Sequence, residues 1–256
     1  MTVSVQALYR YPVKGLSAES LEQVDVRAGE AIPHDRRFAI AHGGAQRLDP
    51  ANPEWMPKGF FLQVMANEKL ATLNTSFDPD TGLLSIHRNR RRVSRGQITE
   101  PTGRAVIEQF LAAYMGTQAR GQPKLIECRG QPFSDTKQPF LSIINLASVR
   151  DLDRVVGRSV DPMRFRGNIL IEGLGPRHEL EWVGKTLRVG AATLRVEERT
   201  GRCAATNVDP SSGARDMTLP RSMQLAYGHT FCGVYARVVD GGPVARGDDV
   251  TITEPS

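Results

Sequence analysis

The chain has 256 residues, of which 40% are apolar, and its 33 Lys and Arg against 28 Asp and Glu give a formal net charge of +5. No apolar run approaches the about 20 residues that a membrane helix needs, so no membrane association is expected. The opening MTVSVQALYRYPVKG lacks a signal-peptide core, and three cysteines are too few for a disulfide framework. We therefore expect a protein of the reducing cytoplasm.

The first part of the chain predicts short strands separated by turn residues, a pattern typical of a sheet or barrel. The predicted strands are residues 3–10, 22–26, 37–41, 61–65 and 83–87. The run HRNRRR follows the last of them without interleaved aromatic residues. We expect this run to form a solvated hairpin tip, and we expect no nucleic-acid partner.

A helix is predicted within residues 101–115, because apolar residues repeat there at helical spacing until Gly116: Val106, Ile107, Phe110, Leu111 and Tyr114. The stretch GQP that follows predicts a boundary. We expect an N-terminal β-barrel-like domain over residues 1–120 and a second domain over residues 121–256.

The second domain is predicted to hold a helix over residues 147–156, with Asn145 near its start and Gly157 at its end. Its predicted strands are residues 168–172, 186–189, 193–198, 233–239 and 250–253. Strands dominate the whole chain. The predicted fold class is therefore mainly β, with two packed β-barrel-like units, inserted helices and α+β elements.

The stretch MRFRGNILIEG combines cations with an apolar strand. Alternate side chains of an extended strand share a face, so Arg164, Arg166 and Asn168 are predicted to point one way and Phe165 the other. Two guanidinium groups and an amide suit an anionic, planar ligand. A strand end wetted by solvent explains the same residues equally well.

Cations also stand at other predicted strand ends. Lys14 follows the first strand, and Arg36 and Arg37 precede the third. Arg202 stands beside Cys203, and neighbouring guanidinium groups favour the thiolate, which is the nucleophilic and metal-binding form of a thiol. One cysteine does not build a zinc site, so a metal is expected to arrive chelated by a cofactor. The alternative for Cys203 is a small side chain buried at a strand end.

Six segments occur in an order that resembles the MOSC family, the C-terminal domain of molybdenum cofactor sulfurases: YPVKG, DRRF, FSDTKQPFLSIINLASV, RFRGNI, RCAATNVDPSSGARD and GHTFCGVYARV. The resemblance spans nearly the whole chain. Its RCxxTxVDPxxG element is quite specific, the more so with FRxN upstream. The opening segment resembles the β-barrel domain that precedes MOSC in many members. The resemblance therefore implies a MOSC N-terminal β-barrel-like domain over residues 1–120 and a MOSC domain over residues 121–256.

The resemblance implies a pair of β-barrels that holds the molybdenum cofactor, a pterin dithiolene with a phosphate tail. Cys203 takes the place of the cysteine that ligates molybdenum in the amidoxime-reducing members, so it is the implied catalytic residue and metal ligand. The implied cofactor-binding residues are Lys14, Arg36, Arg166, Asn168, Arg202 and Tyr235.

Two departures from the family pattern limit the cofactors that we expect. Bacterial relatives often carry a C-terminal ferredoxin-like domain with four cysteines, which this chain lacks, so no iron–sulfur cluster is expected in it. An external electron-donor protein, such as a reductase or a ferredoxin- or cytochrome-like protein, would then supply electrons. No segment matches the sulfurase domain that uses pyridoxal phosphate, so this cofactor is not expected either.

The resemblance favours an oxidoreductase that reduces small N-hydroxylated compounds such as amidoximes and hydroxylamines. The alternative is a molybdenum cofactor carrier or sulfur-transfer module without redox turnover, in which Cys203 bears a persulfide. A barrel that binds another anionic ligand, and an inert Cys203, remain open as well.

Overall fold

The computed structural model describes residues 2–45, 55–128 and 130–253. Within these ranges the chain forms fifteen strands and three α-helices, so the predicted mainly β fold is confirmed. The helices are α1 (Pro101–Met115), α2 (Leu146–Val156) and α3 (Leu219–Tyr227). None of the helices in the described part of the chain is both long and apolar enough to cross a bilayer.

The strands are β1 (Ser4–Arg10), β2 (Glu19–Leu21), β3 (Gln23–Val26), β4 (Phe38–Ala41), β5 (Asn74–Asp78), β6 (Leu83–Arg88), β7 (Arg91–Gln97), β8 (Lys124–Glu127), β9 (Leu141–Asn145), β10 (Ile169–Glu172), β11 (Thr186–Val189), β12 (Ala192–Gly201), β13 (Phe231–Asp240), β14 (Gly242–Ala245) and β15 (Val250–Thr253). Eight of them form one sheet in the order β15-β11-β12-β13-β9-β10-β1-β2. The others form the pairs β14-β3 and β4-β8 and the meander β5-β6-β7.

The large sheet joins the beginning of the chain to its second half. Strand β1 pairs antiparallel with β10, and β10 pairs parallel with β9. Strand β14 likewise returns to pair with β3. A boundary near residue 120 remains a prediction, and the pairings show that β1 and β3 are hydrogen-bonded to strands beyond it. The end of β1 is thereby fixed beside the strands that carry the later motifs.

Two apolar clusters support the two halves of the molecule. One lies under the large sheet and includes Leu8, Ile169 and Val234, which are at most 1% exposed. The other joins α1 and the small sheets, with Ile107 and Leu111 of the helix against Phe38 of β4 and Leu84 of β6. Of the apolar stripe predicted for α1, Ile107 and Leu111 are buried and Phe110 and Tyr114 are partly buried, whereas Val106 is 43% exposed. The two cores leave the loops between them as the walls of a cleft.

The helix predictions succeeded where capping signals flank an apolar stripe. Helix α1 spans the predicted residues, and α2 begins where the Asn145 side chain accepts a hydrogen bond from the Ala147 amide at 3.0 Å. It ends at Gly157, whose φ of 73° is left-handed. Helix α3 was missed, although Pro220 in its first turn and Gly228 after its end are start and stop signals.

The strand predicted over residues 61–65 is wrong. Phe61 makes only an isolated bridge to Ala41, and the chain turns after Leu62. Both apolar side chains are buried, which explains why the pattern resembles a strand. The predicted hairpin tip is confirmed, because β6 and β7 pair antiparallel and leave Asn89 and Arg90 as the turn.

A buried carboxylate joins the elements beneath the large sheet. Glu179 is 0% exposed and accepts hydrogen bonds from Ser148 Oγ at 2.7 Å and from Asn145 Nδ2 at 2.9 Å. It also accepts the amide of Gly233 in β13 at 3.2 Å. Gly233 has a φ of 78°, and a side chain there would meet the carbonyl of Ile143. The Glu179 carboxylate thus links β13, at Gly233, to α2, at Ser148.

Replacement of Glu179 by Leu is expected to lower the free energy of unfolding by about 3 kcal/mol, because three buried donors lose their acceptor. Urea unfolding followed by circular dichroism measures this change. Glu181→Leu, an exposed position two residues away, is the matched control and should shift the midpoint little. Equal unfolding midpoints for the two variants would show that the buried hydrogen bonds of Glu179 do not contribute to the free energy of unfolding.

Candidate functional site

All seven residues predicted to form the site line one cleft, called here the first cleft. It lies between loops of the first half and strand ends of the second, and it holds about 870 Å³ of empty space, part of it open to solvent. The seven are Lys14, Arg36, Arg166, Asn168, Arg202, Cys203 and Tyr235. Residues separated by more than 200 positions in the chain therefore meet at one surface. A ligand in this cleft can contact all of them.

Cys203 stands at the start of a tight turn that follows β12. Its backbone is extended, with φ −114° and ψ 178°, and it precedes the 3₁₀ helix Ala204–Asn207. Its carbonyl accepts hydrogen bonds from the amide of Thr206 at 3.1 Å and from its hydroxyl at 3.0 Å. The thiol is free and the residue is half-buried. Cys203 therefore lies just after a strand end, as both alternatives for it allow, and its thiol is not fully buried.

Lys58 is a site residue that the sequence analysis missed. Its ammonium lies 3.8 Å from the Asp135 carboxylate and also interacts with the Cys203 thiol. Burial opposes protonation, but Asp135 and then Cys203 raise the pKa of Lys58 above its usual value. A permanent positive charge therefore stands beside the sulfur. No motif signals it, since the segment MPKGF has no recognisable spacing to the other cations.

Lys14 is buried and tied to the same carboxylate. Its Nζ donates to Asp135 Oδ1 at 2.6 Å and to the Phe133 carbonyl at 2.8 Å. Burial lowers the pKa of Lys14, and Asp135 partly compensates. Burial likewise acts against the charge of Asp135, but Lys14 and Lys58 hold its pKa below the usual range. Asp135 thus positions both lysines at the cleft.

Arg36 and Arg166 stack on the Tyr11 ring at one end of the cleft. Their guanidinium carbons lie 4.7 Å and 4.3 Å from its centroid. Arg36 pairs with Asp35 and donates to the Arg166 carbonyl at 3.1 Å. The Arg166 guanidinium makes no hydrogen bond or ion pair to any described residue. Burial lowers its pKa to about 10, which leaves it charged at neutral pH. Its donors are therefore available to an anionic ligand.

The extended strand predicted from residue 164 onward is wrong. Pro162–Phe165 forms a 3₁₀ helix, Arg166 is left-handed with a φ of 52°, and β10 begins only at Ile169. Arg164 and Arg166 consequently do not share a strand face. The buried Arg164 turns to Asp209 at 3.1 Å and Asp216 at 2.9 Å, and so anchors the loop after Cys203. Only Arg166 presents an unpaired guanidinium to the cleft.

Asn168 and Arg202 line the cleft while their polar atoms hold the backbone. Asn168 accepts from the Ser142 amide at 3.1 Å and donates to the Tyr9 carbonyl at 3.1 Å. Arg202 donates to the Cys232 carbonyl at 2.8 Å and to the Phe165 carbonyl at 2.9 Å. These contacts fix the positions of the neighbouring strand ends, and with them the turn of Cys203.

Three hydroxyl groups in the cleft have no protein partner. Ser142 Oγ and Thr200 Oγ1 are fully buried and make no hydrogen bond among the described residues. The hydroxyl of Tyr235 makes none there either, and burial raises the pKa of this residue. Buried polar atoms normally have partners, so these groups indicate a ligand with hydrogen-bonding edges. Neither Ser142 nor Thr200 was predicted, although Ser142 lies within a quoted motif.

The chemistry of the cleft is defined by charge and by one sulfur. In the described part of the chain, six cationic side chains line it, and Asp135 is the one carboxylate there. No cluster of three or more metal-binding side chains occurs in the described ranges. The other cysteines stand apart: Cys128 does not line the cleft, and Cys232 is 2% exposed within an apolar cluster. The site therefore suits an anionic ligand that already carries its metal, to which the protein adds one thiolate.

Comparison with known proteins gives matches along most of the chain. Residues 2–118 match the family model of the MOSC N-terminal beta barrel domain, and residues 131–251 match that of the MOSC domain. The chain is 32% identical to mitochondrial amidoxime-reducing component 1 of Mus musculus, with 96% of this chain and 81% of that protein covered. It is 26% identical to molybdenum cofactor sulfurase of Caenorhabditis briggsae, with 84% of this chain but 30% of that protein covered.

Alkylation is expected to separate the cysteines at the cleft and in the core. Burial raises the pKa of the Cys232 thiol to about 12, so its thiolate is scarce at about pH 8, whereas the half-buried Cys203 is open to reagent. Iodoacetamide followed by peptide mass spectrometry should label Cys203 and leave Cys232 unmodified. Labelling after denaturation in guanidinium is the control, since every cysteine then reacts. Equal rates at both positions in the native chain would contradict the assigned burial.

Proposed function

Because this chain belongs to the MOSC domain family and carries the MOSC N-terminal β-barrel domain, we propose that it binds the molybdenum cofactor in the first cleft and reduces N-hydroxylated compounds. The observation that carries the proposal is the half-buried Cys203 thiol in the same cleft as the unpaired guanidinium of Arg166. The similarity to an amidoxime-reducing component supports the substrate class.

The residues present fit the chemical groups of that cofactor. Arg166, with Arg36 and Lys14 nearby, would hold the phosphate tail, because guanidinium and ammonium groups bind phosphate through charge-assisted hydrogen bonds. The unpartnered Ser142 and Thr200 hydroxyls would bind the polar edge of the pterin. Cys203 would add its sulfur to the metal, whose two-electron redox chemistry the cofactor supplies.

The proposed reaction consumes two electrons and two protons. The N–O bond of an amidoxime breaks, one proton goes to the nitrogen to give an amidine, and the other goes to the hydroxyl oxygen, which leaves as water. A separate reduced protein would supply the electrons. Within the chain, Lys58 holds positive charge beside the Cys203 sulfur, and Asp135 keeps Lys58 in place.

The second candidate function is a cofactor carrier or sulfur-transfer module. The similarity to a molybdenum cofactor sulfurase and the accessible position of Cys203 favour it. Here the thiol would carry a sulfane sulfur as a persulfide. Cyanide removes such a sulfur as thiocyanate and restores the thiol. Cyanide-labile sulfur on Cys203 without any turnover would favour this candidate over the reductase.

Cys203→Ser is expected to lower the reduction of benzamidoxime by at least about 100-fold, because the metal loses its protein ligand. The protein is produced in a bacterium that makes the cofactor, and activity is measured with a chemical electron donor beside the molybdenum content per chain. Cys128→Ser, outside the first cleft, is the matched control. Full molybdenum and full activity in Cys203→Ser would exclude the ligand role.

Arg166→Met is expected to reduce the molybdenum and pterin retained after dialysis by about tenfold or more, because a charge-assisted contact to the phosphate is lost. Metal analysis and fluorescence of the oxidised pterin measure both quantities. Arg188→Met, at an exposed position of β11, controls for the loss of one positive charge. Retention equal to that of the control would argue against a phosphate site at Arg166.

A further inference from the structure

A second cleft adjoins the first and has no role in the function proposed above. It holds about 1170 Å³ of empty space, part of it open to solvent. The two clefts share five wall residues: Gly15, Val64, Arg164, Arg166 and Ala205. A ligand in the second cleft therefore reaches the wall of the first without crossing the protein. At this shared boundary, ligands bound in the two clefts can contact each other.

The boundary contains groups that remain unsatisfied. The Arg166 guanidinium stacks on Tyr11 and has no hydrogen-bond partner among the described residues. The Nε of Arg164, whose side chain is 2% exposed, also lacks a partner there. Ala205 follows Cys203 by two residues in the same 3₁₀ turn, so the loop that carries the thiol also forms this wall. A polar ligand group at the boundary would lie between these donors and the turn of the thiol.

The two clefts differ in charge. Four of the six cations of the first cleft do not line the second. Of the two that do, Arg164 is balanced by Asp209 and Asp216. The second cleft also has the carboxylate of Asp161 in its wall, against the charge of Arg166. An anionic ligand is therefore matched by the first cleft, and a ligand of little net charge by the second.

Away from the boundary, the second cleft has ring and aliphatic surfaces with polar side chains among them. Tyr9 and Tyr11 offer ring surfaces, and the aliphatic contribution comes from Leu16, Met163, Val208 and Pro210. The polar side chains there are Ser17, Ser20, Asn74, Asp161 and Ser211. Mixed walls that offer ring and aliphatic surface are typical of sites for small molecules. Such a site would orient a ligand with its polar end towards Ala205 and the turn that carries Cys203.

We propose that the second cleft binds the apolar part of the substrate, so that the preferred substrates are neutral N-hydroxylated compounds with an aromatic or branched aliphatic group. The polar N-hydroxylated end lies at the boundary, nearest the turn of Cys203. This inference rests on the proposed function. It predicts that substrate size is selected by residues that do not contact the cofactor.

Ala71 lines the second cleft and not the first, and a tryptophan there would occupy part of the second cleft. Ala71→Trp is expected to raise the KM for benzamidoxime at least about tenfold, since the apolar contact surface is lost, while the turnover of hydroxylamine changes less than about twofold. Titration calorimetry of benzamidoxime into the oxidised, molybdenum-loaded protein, without an electron donor, should show the same loss of affinity. Ala18→Phe, in the same cleft, is a second variant in case the first folds poorly.

The matched control is Ala113→Trp on the exposed face of α1, which should leave both substrates unaffected. An unchanged KM and affinity for benzamidoxime in both cleft variants would overturn the inference. An equal loss with both substrates would also overturn it, because the substitutions would then act on the metal site itself. One nucleotide per molybdenum in the extracted pterin would assign the second cleft to the cofactor instead. A wild-type chain without molybdenum or turnover would refute the proposed function rather than this inference.

Discussion

The structure depends on a concentration of positive charge that the protein itself does not neutralise. Among the described residues, six cationic side chains line the first cleft, and Asp135 is the one carboxylate that lines it. Asp135 is shared between Lys14 and Lys58, Asp35 pairs with Arg36, and Asp209 and Asp216 pair with Arg164. Arg166 and Arg202 have no carboxylate partner in that part of the chain. Buried charges are stable only when they are paired, so this arrangement favours the binding of an anion. The cleft is therefore organised for a ligand before that ligand arrives.

The scaffold holds this charge in place by satisfying the neighbouring polar groups internally. Arg164 anchors the loop after Cys203, through Asp209, Asp216 and the carbonyl of Thr206. Arg202 binds two carbonyls from other elements, and Glu179 holds β13 at Gly233. The arginine side chains at the cleft thus have different roles. Some arginines fix the backbone, and Arg166 remains available to a ligand, so the position of the thiol turn is set before any ligand binds.

The two adjoining clefts differ in the kind of ligand that their side chains suit. The first combines charge, unpartnered hydroxyl groups and a thiol, which suits an anionic cofactor with a metal. The second has fewer charged side chains and mixes apolar with polar ones, which suits an uncharged small molecule. Arg166 and Ala205 border both, so the boundary between the clefts is also the boundary between the two kinds of chemistry. The loop after Cys203 contributes to each, and its turn links the metal ligand to the proposed substrate wall.

The strand-rich fold was predictable from turn residues that separate short strands, and helices α1 and α2 from helical periodicity with capping residues. The seven predicted residues that line the first cleft were predictable from the family motifs. The sequence by itself did not determine the roles of those residues. The alternation predicted for Arg164 and Arg166 failed, because Pro162–Phe165 forms a 3₁₀ helix that turns one arginine to the Asp209 loop and leaves the other at the cleft. Lys58, Asp135 and the unpartnered hydroxyl groups emerged only from the tertiary structure. Their importance lies in contacts between segments far apart in the chain, and no local pattern encodes such contacts.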